Sequence, residues 1–522
     1  MYSSNTSNFC TNNKTVLVIG GGLGGLATGA LLTKEGYNVT ILEKNKTIGG
    51  GLQTFKRGGL TFDTGMHMLC GLRPGGAIHM ILTYLGVYNQ LKIRHTDADC
   101  MDSITYLDNG KTYRIPEGRK AFTEYLTKEF PDEEQGICNY IDAIYRLASE
   151  IDLLNMRPTE TAMMRHSDQF LWSADELISY YIKDERLCDI LAYMNPMYGG
   201  VYGHTPAYIH AIICVLYITG KDRFIGTSQQ LADALECLIT RGGGKVLTDK
   251  RVTMINVNDE HYCTYVKTSK GDRYSADYYI SDIHPQVLID LASQGSIPKA
   301  YRMRIASLPN TYSAFIVYIK FHPKTFPYIN HTCYCHDMCG RIWQHGEYDP
   351  TDDKWPHGFM YMTPPEEQTD YASKMTIICI MPFDAVKQWE DTYTGHRGKD
   401  YEDWKNRNVK LIINRMNQLY PSFNDTIDQL WSSSPLTIRD YYGQPEGALY
   451  GIQKDRKNIL LSRIPVGTKI KNLFFTGQNI NQHGFCGVQL AAINTVEAII
   501  GQNELVKKIN LCYSANFRNN NV

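Results

Sequence analysis

Thr15 to Ile19 (TVLVI) is a short β-branched run that leads straight into Gly20-Gly-Gly22-Leu-Gly-Gly25, and this junction constrains the fold more than any other feature. The run reads as a buried parallel strand entering a glycine cluster. Leu26 to Lys34 then reads as a helix stopped near Gly36, and Asn38 to Leu42 (NVTIL) as a second strand. Strand, tight turn, helix and strand within about thirty residues make a βαβ unit, which closes right-handed in a parallel sheet. In GxGxxG spacing, Gly20 permits the turn, Gly22 admits a pyrophosphate against the backbone, and Gly25 lets helix and strand pack closely. A diphosphate would sit at the helix N-terminus, where unpaired N–H groups point outward. Glu43, about 20 residues on, stands where a carboxylate accepts hydrogen bonds from ribose hydroxyls.

A second cluster, Gly49-Gly-Gly51, follows Glu43 at once and runs into TFKRGGLTFDTGMH. A dehydrogenase holding only NAD has no obvious use for it, because its second strand normally leads into another helix. This segment resembles the second diphosphate-contacting loop of the large flavoprotein superfamily that includes amine oxidases and phytoene desaturases. The C-terminal NLFFTGQNINQHGFCGV resembles that superfamily's last flavin motif: a strand, Thr-Gly, then a glycine turn opening a helix. In that motif the helix N-terminus stabilises negative charge on the reduced ring, and here the helix is expected to begin near Gly487 and Val488. FAD is therefore expected rather than NAD. The chain shows no second GxGxxG within a βαβ pattern and no CxxC near the first, which argues against a disulfide reductase with its own nicotinamide domain.

The rest of the chain reads as mixed. Helices are expected around 121–130, 137–154, 174–193, 205–220, 231–240, 401–420 and 488–500, and strands over 245–257, 262–269, 273–280 and 473–476. The expected fold class is α/β: a discontinuous, glutathione-reductase-like FAD-binding Rossmann domain with a mixed α+β substrate domain. Its expected division is a polar tail (1–14), FAD-binding segments at 15–85, 221–295 and 466–505, substrate-domain segments at 86–220 and 296–465, and a C-terminal tail (506–522).

These residues together resemble the FAD-dependent phytoene desaturase, carotenoid isomerase and retinol saturase family over nearly all of 15–505. The branch of retinol saturase (all-trans-retinol 13,14-reductase)-like proteins looks closest, through Phe62-Asp-Thr-Gly-Met-His67, Leu473-Phe-Phe-Thr-Gly-Gln478, Ser434-Pro-Leu-Thr and Gly443-Gln-Pro-Glu-Gly-Ala-Leu-Tyr-Gly451. The resemblance implies that Gly20, Gly22, Leu23, Gly24, Gly25, Glu43 and Lys44 contact the ADP half of FAD. It places Gly50, Gly51, Leu52, Gly65, Met66 and His67 along the diphosphate and isoalloxazine. Val252 would offer its backbone to the adenine, and Gly477, Gln478, Gly487 and Val488 would border the ribityl chain and pyrimidine. Two positions depart from the family pattern: Gly51 stands where many desaturases carry Arg and retinol saturase carries Cys, and Asn479 replaces the Asp that often follows Thr-Gly-Gln.

The implied activity is hydride transfer between flavin and a carbon–carbon bond of a polyene isoprenoid, as saturation, desaturation or isomerisation. The cofactor carries the hydride while the protein sets geometry and excludes water. His67 is the candidate proton donor, because an imidazole titrates near neutrality; a structural histidine is the alternative. FAD is expected to be bound non-covalently, with Cys486 the candidate for a covalent link, and the electron donor or acceptor is a diffusible partner. A flavin amine oxidase is the rival enzyme. A non-catalytic member of the same fold, like the Rab GDP-dissociation inhibitors, is the rival outside catalysis, although such proteins lack the intact glycine set seen here.

Composition sets the outer limits. A chain of 522 residues with 53 basic and 54 acidic side chains carries a net charge of −1, which offers no basic footprint for nucleic acid. Mean hydropathy is −0.32, and no apolar run approaches the ~18–20 residues that span a bilayer. The expected partner is a hydrophobic small molecule, in a cytoplasmic protein with peripheral membrane contact left open, and the 205–220 helix is either a tunnel-lining or membrane-touching element or ordinary core. The 14 cysteines, scattered and without an export signal, are expected to be reduced. No metal site is expected: Cys333, Cys335 and Cys339 form the densest soft-ligand cluster but lack a matching second knuckle. The Trp389–Tyr401 charge run is expected to be a solvated face.

Overall fold

In the computed structural model, residues 13–159, 166–367, 370–480 and 482–520 are described. Most of the expected N-terminal tail, residues 1–12, lies outside them.

The β-branched runs form a five-stranded parallel sheet. Its strands are β1 (Thr15–Ile19), β2 (Asn38–Leu42), β3 (Lys245–Leu247), β4 (Tyr278–Ser281) and β5 (Leu473–Phe475), in the order β3-β2-β1-β4-β5. Val16, Leu17 and Val18 are buried on both faces, as a strand covered by helices on each side requires. Helix α1 (Leu23–Lys34) begins three residues earlier than expected, with Gly22 at its N-cap. Its first turn is therefore made of the fingerprint glycines themselves. Helix α2 (Ala207–Thr219) precedes β3, and α3 (Gly484–Ile500) and α4 (Glu504–Asn520) follow β5.

A seven-stranded sheet builds the second layer, in the order 427–433, 313–321, 374–381, 358–362, 332–336, 102–106 and 112–115. All its pairings are antiparallel except 332–336 with 102–106. Helices from 119 to 219 pack as a group, and a large apolar core runs from α1 and α3 into them. The expected pairing of a Rossmann-like domain with a second α+β domain is what the chain forms.

Several local expectations give way to packing. The 245–257 run splits, because β3 joins the parallel sheet while Val252–Val257 starts a three-stranded antiparallel sheet with Cys263–Thr268 and Arg273–Tyr274. Likewise 273–280 splits, with β4 inserted between β1 and β5. The 174–193 helix is two, Ala174–Tyr181 and Glu185–Ala192, the second capped by Asp184 accepting from Leu187 N–H at 2.9 Å. Helix α2 is core: Ile209, His210, Ala211, Ile212 and Cys214 are buried. Arg397, in the run expected to be solvated, is 7% exposed and pairs with Asp440 at 2.5 Å. The segment expected as a C-terminal tail is helical, and Leu505, Val506 and Ile509 of α4 are buried.

Among the described residues no single helix is long and apolar enough to cross a membrane, none of the cysteines is in a disulfide, and no metal-ligating cluster occurs. Cys333 and Cys335 lie buried on one strand, whereas Cys339 lies beside Asp189.

Candidate active site

The two glycine loops are separate in sequence and joined in space. Gly22 bridges Gly49 in parallel, and Gly49 N–H donates to the Gly21 carbonyl at 2.7 Å. A Cβ on Gly50 would lie 3.0 Å from Gly22 Cα, and one on Gly24 would lie 2.7 Å from Gly477 Cα. Backbone from α1, the 49–51 turn and the 476–480 turn thus converges where only glycine leaves room for a ligand. Gly20, with φ of +104°, makes the turn out of β1. Gly25 packs its Cα against the Gly20 carbonyl. Leu23 is buried in the first turn of α1.

Glu43 closes β2, 5% exposed, and accepts from Gly21 N–H at 2.8 Å and Asn45 N–H at 2.7 Å. Burial raises its pKa, while those N–H donors and the Lys44 charge work in the opposite direction. Lys44 donates to the Asp440 carbonyl at 3.1 Å, and its ammonium is pushed below the ordinary lysine value by burial and then by Arg251. Lys44, Arg251, Arg439 and Asp440 line a cleft at this end. Val252 opens its strand with one neighbour, Cys263–Thr268, and packs with Leu17, Ile19 and Leu42.

At the other end, Gly51 and Gly65 face the Tyr442 hydroxyl, which donates to Thr64 Oγ1 at 3.3 Å. Leu52 is fully buried and offers only its carbonyl, which accepts from Ser228 Oγ at 3.0 Å. Ser228 also donates to Asp63, so the Asp of the 62–67 motif anchors the loop. Met66 packs at the edge of the large core. His67 is half-buried, with its Nε2 atom buried and without a hydrogen-bond partner. Burial first, and the Arg223 charge second, lower its pKa to about 4, so the imidazole is neutral at physiological pH. The expected titration near neutrality is not what this environment supports.

Helix α3 begins at Gly484, not at Gly487 or Val488. The expected N-terminal pair lies within its first turns, and the outward N–H groups belong to residues just after His483. A Cβ on Gly487 would lie 2.5 Å from Gln482 Cβ, so the incoming loop folds back over the helix there. Gly477 makes the turn out of β5 with φ of +83°, Gln478 is half-buried beside it, and Val488 is buried. The hydroxyls of Thr28 and Thr476, 2.7 Å apart, tie α1 to this turn. His483 is buried with Nε2 unpartnered and packs against Tyr450 at 4.7 Å between ring centroids. Lys454 is buried beside it and donates to the carbonyls of Asn479 (3.1 Å) and Ile480 (3.2 Å); burial, and then Arg463, lower its pKa to about 7.

Sequence reasoning assigned no role to Tyr442, Tyr450, Lys454 or Asp282. Tyr450 lies inside the Gly443–Gly451 stretch and Tyr442 directly before it, and Asp282 directly follows β4, so position after a strand end was the available signal. The residues present fit a dinucleotide extended from Glu43 to His67: a glycine-lined backbone cradle, a ribose-competent carboxylate, two imidazoles whose buried Nε2 atoms lack partners, and a helix N-terminus at the far end.

The chain is similar in sequence and fold to known proteins. Residues 18–85 match the family model for an NAD(P)-binding Rossmann-like domain. The chain is 25% identical over 523 residues to human all-trans-retinol 13,14-reductase, covering 94% of this chain and 86% of the relative. It is 22% identical to 4,4'-diaponeurosporene oxygenase of Staphylococcus haemolyticus, covering 91% of this chain and 94% of the relative. The solved structure of putrescine oxidase bound to putrescine overlays with a TM-score of 0.63 at 14% identity, covering 94% of this chain and 100% of that one. The chain is an FAD-dependent oxidoreductase acting on a small organic substrate, built as a Rossmann-like FAD/NAD-binding domain joined to a second α+β domain.

Proposed function

We propose that this enzyme moves a hydride between FAD and a carbon–carbon bond of a hydrophobic, conjugated isoprenoid. The observation that carries the reading is the chemistry of the buried end of the site. His67 and His483 are held neutral by burial, Tyr450 packs on His483, Tyr442 stands over Thr64 and Gly65, and the charged side chains that act on the two imidazoles are Arg223 and Lys454. Such walls suit a neutral polyene and oppose an ammonium group. The broad likeness to a retinol reductase and a carotenoid oxygenase supports the same substrate class.

When bound, FAD supplies the hydride acceptor or donor. Gly22, Gly24, Gly25, Gly50 and Gly51 hold the diphosphate against backbone N–H groups, and Glu43 holds the ribose. Gly477 and the first turn of α3 support the flavin's pyrimidine edge. Tyr442 and Met66 position the substrate and exclude water, and His67 orients by hydrogen bonding as a neutral imidazole. Cys486 is buried with its thiol pushed well above its ordinary pKa, which favours non-covalent attachment. Electrons reach or leave the site through a diffusible partner.

Amine oxidation is the second reading. The overlay on putrescine oxidase favours it, and so does the pair of half-buried tyrosines, Tyr442 and Tyr450, at the flavin end. Anaerobic incubation with retinol, phytoene and lycopene isomers, with FAD oxidised and then reduced, tests the first reading by product analysis. Peroxide release with putrescine or cyclohexylamine, and no change in any polyene, would replace it with the second.

The protein is proposed to be cytoplasmic and to touch membranes peripherally. Leu460 and Leu461 are 83% and 46% exposed, and they lie next to Arg456, Lys457 and Arg463 in sequence. That pairing of apolar and basic side chains suits an anionic lipid surface.

A further inference from the structure

Asp282 has no part in the assignments above, yet it stands at the centre of the glycine cradle. It follows β4, the strand between β1 and β5, so the sheet order aims it at the N-terminus of α1. Its carboxylate lies against the backbone of Gly22, Gly24 and Gly477, and the N–H groups of Gly25 and Gly22 pull its pKa down. One oxygen lies 2.8 Å from where a Gly22 Cβ would be, and the other contacts the corresponding positions of Gly24 and Gly477. These are the N–H groups and helix end that a dinucleotide's diphosphate uses.

We propose that Asp282 acts as an internal anion in the diphosphate seat, so that FAD binds with uptake of a proton and is held less tightly as the pH rises. This rests on the FAD reading. A diphosphate brings two negative charges to the place where this carboxylate sits, and an ionised Asp282 must either leave its N–H donors or become a third buried charge. A neutral carboxyl avoids the repulsion and can donate its proton to a phosphate oxygen.

The surroundings set the pH range. Burial, and then the charge of Glu43, raise the Asp282 pKa to about 7, against the pull of the Gly25 and Gly22 N–H groups. Glu43, from the end of β2, is the ionisable group whose charge acts on it. Lys44 from the same element points to Asp440. From the 476–480 turn the approach is backbone, with Lys454 held behind on the carbonyls of Asn479 and Ile480. On its own segment, His284 is held neutral by burial and bonded to Asn310 at 3.0 Å. The sign follows: below about 7 the group is protonated and FAD binding is strongest, and above it each pH unit weakens binding up to about tenfold.

The test is the FAD dissociation constant of apoprotein, read by flavin fluorescence from pH 6 to 9, for wild type, Asp282→Asn, Asp282→Ser and Glu43→Gln. Wild type is expected to weaken by up to about tenfold per unit above pH 7.5. Asp282→Asn and Asp282→Ser should give flat profiles and bind at least about tenfold tighter than wild type at pH 9. Glu43→Gln should bind more weakly but keep the slope. A flat wild-type profile, or a slope kept by both Asp282 variants or lost in Glu43→Gln, overturns the proposal. Wild type that takes up no FAD at any pH overturns the cofactor reading and the proposal with it.

Discussion

Replacing Lys221 with methionine isolates the most deeply buried ion pair in the described structure. Lys221 is 1% exposed, Asp102 0%, and the two are in direct contact. Asp102 also accepts from the Tyr193 hydroxyl at 2.9 Å, and the ammonium lies 5.3 Å from the Tyr217 ring and 5.8 Å from the Tyr334 ring. Burial raises the Asp102 pKa and lowers that of Lys221, and each partner works against the shift of the other. Lys221→Met therefore leaves a buried carboxylate with one hydroxyl donor and only the charge of the buried Arg223 acting on it, and breaking such a pair costs about 3–5 kcal/mol. An acid with a raised folded pKa loses stability as pH rises above its unfolded value of about 4, so the deficit should deepen between pH 5 and 8. The assay is urea unfolding of the wild type, Lys221→Met, Asp102→Asn and the double variant. Removing both charges should recover at least about 1.5 kcal/mol relative to the sum of the single changes, because neutral replacements leave no orphan charge. Additive single changes, or Lys221→Met within about 0.5 kcal/mol of wild type, would refute the reasoning.

Three further outcomes are expected. Glu43→Gln keeps an acceptor for Gly21 N–H but loses the charge-assisted bonds, so FAD affinity should fall by about 1–2 kcal/mol, roughly 5- to 30-fold, as read by fluorescence titration. His67→Gln should lower turnover without moving any ionisation of kcat between pH 5.5 and 8, because the imidazole is already neutral there; a kcat ionisation in that range that disappears in the variant would make His67 the proton donor. Leu460→Asp with Leu461→Asp should abolish flotation with anionic liposomes while leaving FAD content unchanged, and unchanged flotation removes this patch as the membrane contact.

The glycine fingerprint was legible because its physics is local: Gly20, Gly22 and Gly25 are needed by the turn, the approach and the packing of one βαβ unit, whichever domain follows. The start of α1 was misjudged because Leu23, Gly24 and Gly25 look like loop by propensity, and only packing against β1 and the 476–480 turn holds them helical. The same holds for α3, where Gly484 to Gly487 become helix under the folded-back Gln482. His67 was found by its motif, but its protonation state depends on burial and on Arg223, 156 positions away.

By itself, the sequence determined the βαβ unit, the second glycine loop and the closing strand–turn–helix, and with them the cofactor class, because each is specified by short-range spacing. Only the tertiary structure decided which strands share a sheet, dividing 245–257 and 273–280 between two. It alone brought Asp282, Tyr442, Lys454 and Gly477 to one cradle. Hydrogen-bonding edges are satisfied by whatever strand the global packing delivers, and the ionisation of a buried group follows from neighbours hundreds of residues distant, which no local pattern carries.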